Sequence, residues 1–138
     1  MDELETQTFS YPAMVKEVYL DTFGHMNNAV YLILFEEARW DLITKNGYGV
    51  NKIKETGLGP TIMEIKIRYL KELRLREEIV IETKLISYRD KIGKLKQDMV
   101  RGNDVCCSAE ITFGLFSITK RKLVLPTSDW LKAVGAVE

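Results

Sequence analysis

An α+β domain, with one long helix packed on an antiparallel sheet, is predicted by three features of the chain. Apolar residues recur at helical spacing from Asn28 to Asn46, period-two alternation begins near Ile62 and returns in three later segments, and tight polar links join those segments. Closely linked strands pair antiparallel. One helix beside a run of strands buries its apolar face by lying on the sheet.

Taken in order, a first strand is expected over about Met14 to Leu20, followed by a turn containing Gly24. In the helix, Tyr31, Leu34, Phe35, Ala38 and Leu42 share one face, with Val30, Ile33 and Trp40 expected to widen it. Glu36, Glu37, Arg39, Asp41 and Lys45 are expected on the wet side, with Glu36 spaced to pair with Arg39, and Asn46-Gly47 supplies the stop. A loop through Gly57 and Gly59 leads to a strand in which Ile62, Glu64, Lys66 and Arg68 interleave with Met63, Ile65, Ile67 and Tyr69. Further strands are expected near Glu78 to Arg89, Lys91 to Arg101 and Val105 to Thr119, linked at Asp90-Lys91 and Gly102-Asn103-Asp104. A short helix follows Pro126, capped by Thr127 or Ser128. Pro12, Pro60 and Pro126 are expected near element boundaries.

The chain of 138 residues suits one domain with a real core. Twenty basic against twenty acidic residues leave no net charge, which removes the long-range attraction on which nucleic-acid binders rely. The opening MDELETQTFS has neither a basic nor an apolar run, so no secretory signal is expected there. No segment reaches the roughly 18 apolar residues of a membrane span. Cys106 and Cys107 are adjacent, a spacing that suits neither a disulfide framework nor a metal knuckle. They read as two small apolar side chains in a strand, and the cytoplasm is the expected compartment.

Elimination narrows the chemistry. With His25 as the single histidine, His-rich metal sites are impossible, and no nucleophile elbow, phosphate loop or dinucleotide fingerprint is present. What remains is the junction between the first strand and the helix, where Asp21, His25, Asn27 and Asn28 crowd together. The first N–H groups of a helix lack internal partners and sit at its positive pole, where they can hold an oxyanion. An Asp beside that pole can act as nucleophile or general base. The same residues could equally do no more than make turn and cap hydrogen bonds.

The run Asp21-Thr22-Phe23-Gly24-His25-Met26-Asn27-Asn28-Ala29-Val30-Tyr31, followed by Glu36-Glu37-Ala38-Arg39-Trp40-Asp41, resembles the hotdog-fold thioesterases grouped with 4-hydroxybenzoyl-CoA thioesterase, and among them the bacterial long-chain acyl-CoA branch. The resemblance implies a hotdog, a curled antiparallel sheet around one long central helix, assembled as a homodimer or homotetramer with the site at the subunit interface. It implies hydrolysis of a medium- to long-chain acyl-CoA without metal or organic cofactor, with an acyl-carrier-protein thioester as the alternative substrate and a non-catalytic acyl-thioester binder as the rival role. Asp21 matches the family's catalytic aspartate. Asn28 matches the helix-start position whose N–H polarises the thioester carbonyl, and His25 joins them as a catalytic residue. Asn27 and Tyr31 are expected to bind substrate, as are Arg89 and Lys91, which match basic residues that hold the phosphates of coenzyme A. Two positions depart from relatives: Phe23 stands where the plant acyl-carrier-protein thioesterases carry Asn, and Asp90 where a further basic residue can occur. The first leaves His25 open between orienting water or substrate and shaping the turn.

Overall fold

The structure, a computed structural model, describes residues 5–137. In chain order it contains β1 (Glu5–Thr6), β2 (Thr8–Met14), a 3₁₀ turn (Glu17–Tyr19), α1 (Asn28–Lys45), α2 (Val50–Thr56), β3 (Leu58–Tyr69), β4 (Glu78–Arg89), β5 (Ile92–Arg101), β6 (Asp104–Ser117), β7 (Lys122–Val124), α3 (Ser128–Ala133) and β8 (Ala136–Val137). The long strands pair antiparallel in the order β2-β4-β5-β6-β3, with β7 beside the end of β6, while β1 and β8 form a separate pair. Strands β4, β5 and β6 are neighbours because short turns join them, one with Asp90 at φ 53° and one with Gly102 at φ 62°. By contrast, β2 and β3 lie on opposite edges, so the chain between them must cross the whole sheet. Helix α1 lies on that crossing.

The alternation follows from this layering. In β4, Ile79, Ile81, Thr83 and Leu85 are buried, and Glu78, Val80, Glu82 and Lys84 are exposed. The inner face continues with Leu95, Gln97 and Met99 of β5 and with Cys107, Ala109, Ile111 and Phe113 of β6. Tyr31, Leu34, Phe35, Ala38 and Leu42 of α1 complete the core. On the outer face Lys84, Lys96, Glu110 and Lys66 stand in register across four strands, a charged surface suited to water. A helix held in one face of an antiparallel sheet is the expected hotdog arrangement. Gly93 serves the core directly, since a Cβ there would come 2.5 Å from the Phe113 ring.

One polar network crosses this core. Arg39 Nη1 donates to Gln97 Oε1 at 2.9 Å, and Gln97 Nε2 donates to the Phe35 carbonyl and to Thr83 Oγ1, each at 3.0 Å. Gln97 and Thr83 are buried, so these bonds tie helix to sheet where water cannot substitute. Arg39 is therefore not on the wet side of the helix. It turns inward to Gln97 rather than to Glu36, and burial lowers its guanidinium below the usual value.

Other expectations also change. The strand before the turn is β2 at Thr8–Met14, not Met14 to Leu20, and the residues after it form a 3₁₀ turn with Val18 exposed. Pro12 and Pro60 lie near strand ends as expected, but inside β2 and β3 and not in the loops beside them. Both are tolerated because β2 and β3 are edge strands, where a missing N–H breaks no ladder on the outer side. The segment read as a loop before Gly57 is α2, closed by Gly57 at φ 70°. Ile33, 50% exposed, and Trp40, 37% exposed, lie away from the core face. The helix after Pro126 forms as expected, with Thr127 Oγ1 accepting from Trp130 N–H.

Replacing Gln97 by Ala strips partners from Arg39, Thr83 and Phe35 at once and is expected to cost about 2 to 4 kcal/mol. Urea unfolding of the variant measures this, beside Lys84→Ala on the outer face, which should stay within about 0.5 kcal/mol of the parent.

Candidate active site

The turn before α1 is held by backbone bonds to its surroundings. Met26 N–H donates to the Leu73 carbonyl, Asn27 N–H to Tyr19, and Asp21 N–H to His25, each at 2.8 Å. Gly24 N–H donates to the Asp21 carbonyl at 3.1 Å with φ 83°, a left-handed conformation that glycine adopts without steric cost. Inside the turn, Asp21 Oδ1 accepts from Phe23 N–H at 2.8 Å and from His25 N–H at 3.2 Å. That is an Asx-type turn, and it fixes the carboxylate's orientation. Its other oxygen, Oδ2, has no hydrogen-bond partner among the described residues.

Asn27 is the N-cap of α1. Its Oδ1 accepts from Ala29 N–H at 2.9 Å, and its carbonyl accepts from Val30 N–H at 2.9 Å. The N–H of Asn28 has no acceptor among the described residues and is the donor left over at the positive end of the helix. Tyr69 Oη donates to the Asn28 carbonyl at 2.9 Å, clamping that first residue to the end of β3. Asp21, His25, Asn27, Asn28, Tyr31 and Tyr69 all line one open cleft of about 480 Å³.

On the far wall stands a group that sequence reading missed. His25 Nδ1 lies 3.1 Å from Glu72 Oε2, and Glu72 Oε1 accepts from Arg74 Nη2 at 2.7 Å. The Arg74 hydrogen bond holds the Glu72 carboxyl below its usual range, with His25 adding to the effect. Backbone pairing of His25 with Arg74 sets this arrangement. No local motif announces Glu72 or Tyr69, because both reach the turn only through the fold. Tyr31 is buried, its ring edge-on to Tyr69 at 5.1 Å. Burial pushes its phenol up to about 12, so it is a neutral hydroxyl and not a base at ordinary pH.

Arg89 and Lys91 are not brought to this cleft within one chain. They flank the β4–β5 turn, whereas Asp21 sits by the end at which β5 closes on Arg101. Strand β5 separates the two ends by roughly 30 Å at about 3.3 Å per residue. Glu37 accepts from Tyr11 Oη at 3.4 Å at the surface. Glu36 instead lines a cavity between α1 and β3.

The profile of the thioesterase-like superfamily matches residues 16–134. The long-chain acyl-CoA thioesterase FadM of Escherichia coli (strain K12) is 29% identical over 110 residues, which is 78% of this chain and 83% of that protein. The crystal structure of YbaW, a probable thioesterase from Escherichia coli, superposes with a TM-score of 0.81 at 25% identity, over 90% of this chain and 94% of that one. A Staphylococcus aureus protein solved in complex with CoA shares the fold, with a TM-score of 0.87 at 16% identity over 97% of this chain and 85% of that one.

Because the Asn27 side chain is committed to the cap, Asn27→Ala is expected to cost about 1 kcal/mol of stability. Asn27→Asp, which keeps an accepting oxygen, should stay near the parent. Thermal unfolding of the two variants separates a structural cap from a group that only meets substrate.

Proposed function

The chain belongs to the thioesterase-like superfamily, and from that premise we propose that it hydrolyses a medium- to long-chain acyl-CoA to free acid and CoA, with Asp21 as the reacting carboxylate. It is a thioester hydrolase by family. The observation that carries the specific reading is the pairing, in one cleft, of an oriented carboxylate whose Oδ2 is unengaged and a helix-start N–H that has no acceptor among the described residues.

The thioester carbonyl oxygen would accept from Asn28 N–H, so that negative charge developing there meets the positive pole of α1. Asp21 Oδ2 then attacks the carbonyl carbon, the C–S bond breaks and the CoA thiolate leaves, giving a mixed anhydride that water opens to two carboxylates. In the alternative route, Oδ2 takes a proton from a water whose oxygen attacks the same carbon. Both routes require the carboxylate. With Nδ1 held by Glu72, His25 keeps Nε2 for a water or for the departing sulfur.

The carrier is read from Arg89 and Lys91, and a second copy of the chain is needed to bring them to the reaction. Strand β3 is a long edge whose outer backbone groups invite pairing. An antiparallel, two-fold pairing across it would set each copy's Leu58 end beside the other's Tyr69 end. The β4–β5 turn lies at the Leu58 end, since Gly93, Phe113 and Ile62 stand in one row. The partner's Arg89 and Lys91 would then approach the Asp21 cleft and take the CoA phosphates.

A panel of acyl-CoAs from butanoyl to octadecanoyl, read by free thiol, tests the activity. Thiol release is expected, greatest for the longer chains. Release from acyl-carrier protein but from no acyl-CoA would move the carrier, and release from neither would overturn the reading. Arg89→Ala with Lys91→Ala should raise KM for acyl-CoA more than it lowers kcat, because contacts far from the reacting carbon bind ground and transition states alike. Mixing that double variant with Asp21→Asn subunits under exchange should restore about a quarter of the parent activity, since half of a two-fold dimer population is mixed and each mixed dimer has one intact site. No gain over the separate variants would contradict sharing between subunits.

A further inference from the structure

The loop between β3 and β4 forms the far wall of the cleft and is pinned on both sides of Glu72. Before it, the N–H groups of Leu70 and Lys71 both donate to the Cys106 carbonyl, at 2.9 and 3.0 Å. Arg101 Nη1 donates to the Glu72 carbonyl itself at 3.1 Å and to Glu77 Oε1 at 3.1 Å, and that same Glu77 oxygen accepts from Arg74 N–H at 2.6 Å. The backbone that carries Glu72 is therefore fixed. Its carboxylate spans two groups, with Arg74 Nη2 on Oε1 and His25 Nδ1 on Oε2. His25 Nε2 has no partner among the described residues, and the ring lines the cleft beside Asp21.

On the reading of the cleft as a thioesterase site, we propose that Glu72 is a positioning residue: it holds the proton of neutral His25 on Nδ1 and keeps Nε2 bare to accept from the water of hydrolysis. An ionised carboxylate only accepts hydrogen bonds, so the ring nitrogen facing it has to be the donor. Arg74, on the other carboxylate oxygen, favours that ionised form. A neutral imidazole carries one N–H, and with the hydrogen on Nδ1 the second nitrogen is an acceptor. Thioester chemistry calls for an acceptor there. A thiol ionises near about pH 8.5, so the C–S bond breaks to a thiolate without an acid, whereas water, at about 15.7, attacks well only when a base takes its proton. With Asp21 Oδ2 as nucleophile, the water oxygen bonds to a carbonyl carbon of the anhydride and its proton passes to Nε2. The anhydride C–O bond breaks to give two carboxylates, the second water proton is lost as the acid ionises, and solvent takes the first from Nε2. Glu72 takes no proton at any step; it fixes which nitrogen is free.

Arg74 makes the test specific. In Glu72→Gln the guanidinium, which can only donate, takes the amide oxygen and turns the –NH2 toward His25. Nδ1 must then accept, and the ring proton moves to Nε2. Glu72→Ala loses the same charge but imposes neither arrangement. The expected order of kcat is parent, then Ala, then Gln, with Gln lower than the parent by about tenfold or more and KM within about twofold. A role in charge or packing alone gives the reverse order, since Gln keeps the size of the side chain. The pair is partly exposed and adds little to stability, so melting should barely change. His25 is the single histidine, so the ring ¹⁵N signals of the full chain report its tautomer without turnover. At the alkaline plateau of the ring's titration, the parent should show Nε2 as the bare nitrogen and Glu72→Gln should show Nδ1. Adding Arg74→Ala to Glu72→Gln lets the amide turn its oxygen back to His25 and should raise kcat by about threefold or more over Glu72→Gln alone. The same tautomer in parent and Glu72→Gln, or a Glu72→Ala rate no higher than that of Glu72→Gln, would overturn the proposal. If the parent releases thiol from no acyl-CoA, the thioesterase reading fails, and the ring spectra still decide whether Glu72 sets the tautomer.

Discussion

The chain's crossing from one edge of the sheet to the other is the constraint on which the rest depends. With β2 and β3 on opposite edges, the intervening residues must traverse the face of the sheet, and an amphipathic helix does so while burying its apolar stripe. The crossing begins at Asn28, so the positive end of α1 lies at one end of the sheet, beside the turn that enters it and the end of β3 that Tyr69 supplies. A helix pole anchored at both flanks is a pre-organised donor, and little of its orientation has to be established during a reaction.

Polar groups are placed with the same economy. Gln97 satisfies Arg39, Thr83 and the Phe35 carbonyl in the core, and no buried side-chain nitrogen or oxygen among the described residues lacks a partner. At the turn the pattern reverses. One oxygen of Asp21 is consumed by the turn and the other is left over, and the cap of α1 uses Ala29 N–H but not Asn28 N–H. Unspent hydrogen-bonding capacity therefore collects at the mouth of the cleft, where a substrate can use it.

Much of this was legible in the sequence where a signal is local. The helix from Asn28, strand β4 and the capped helix after Pro126 each carry their own periodicity or cap residue. The Asp21-to-Tyr31 run placed the candidate site, since turn, cap and helix start are consecutive in the chain. What escaped depends on the third dimension. That Pro12 and Pro60 sit within strands was not legible, because edge position, not sequence, decides whether a strand tolerates them. Arg39 reads as a surface charge until Gln97, far along the chain, is placed beneath it. Glu72 and Tyr69 join the site through pairing of remote segments, and Arg89 and Lys91 stand at the far end of the sheet, a separation that residue type does not reveal.

The central claim is that the free oxygen of Asp21 does chemistry while its bonded oxygen only shapes the turn, and Asp21→Asn separates the two. The amide keeps an accepting Oδ1 for Phe23 and His25 and replaces only the unengaged atom, so the fold has no reason to weaken. The decisive measurement is kcat of pure Asp21→Asn protein on its best acyl-CoA, taken with its melting temperature. The account predicts a fall on the order of 10² to 10⁴ with melting little changed. A rate within about threefold of the parent would contradict it and leave Asp21 as a turn residue alone.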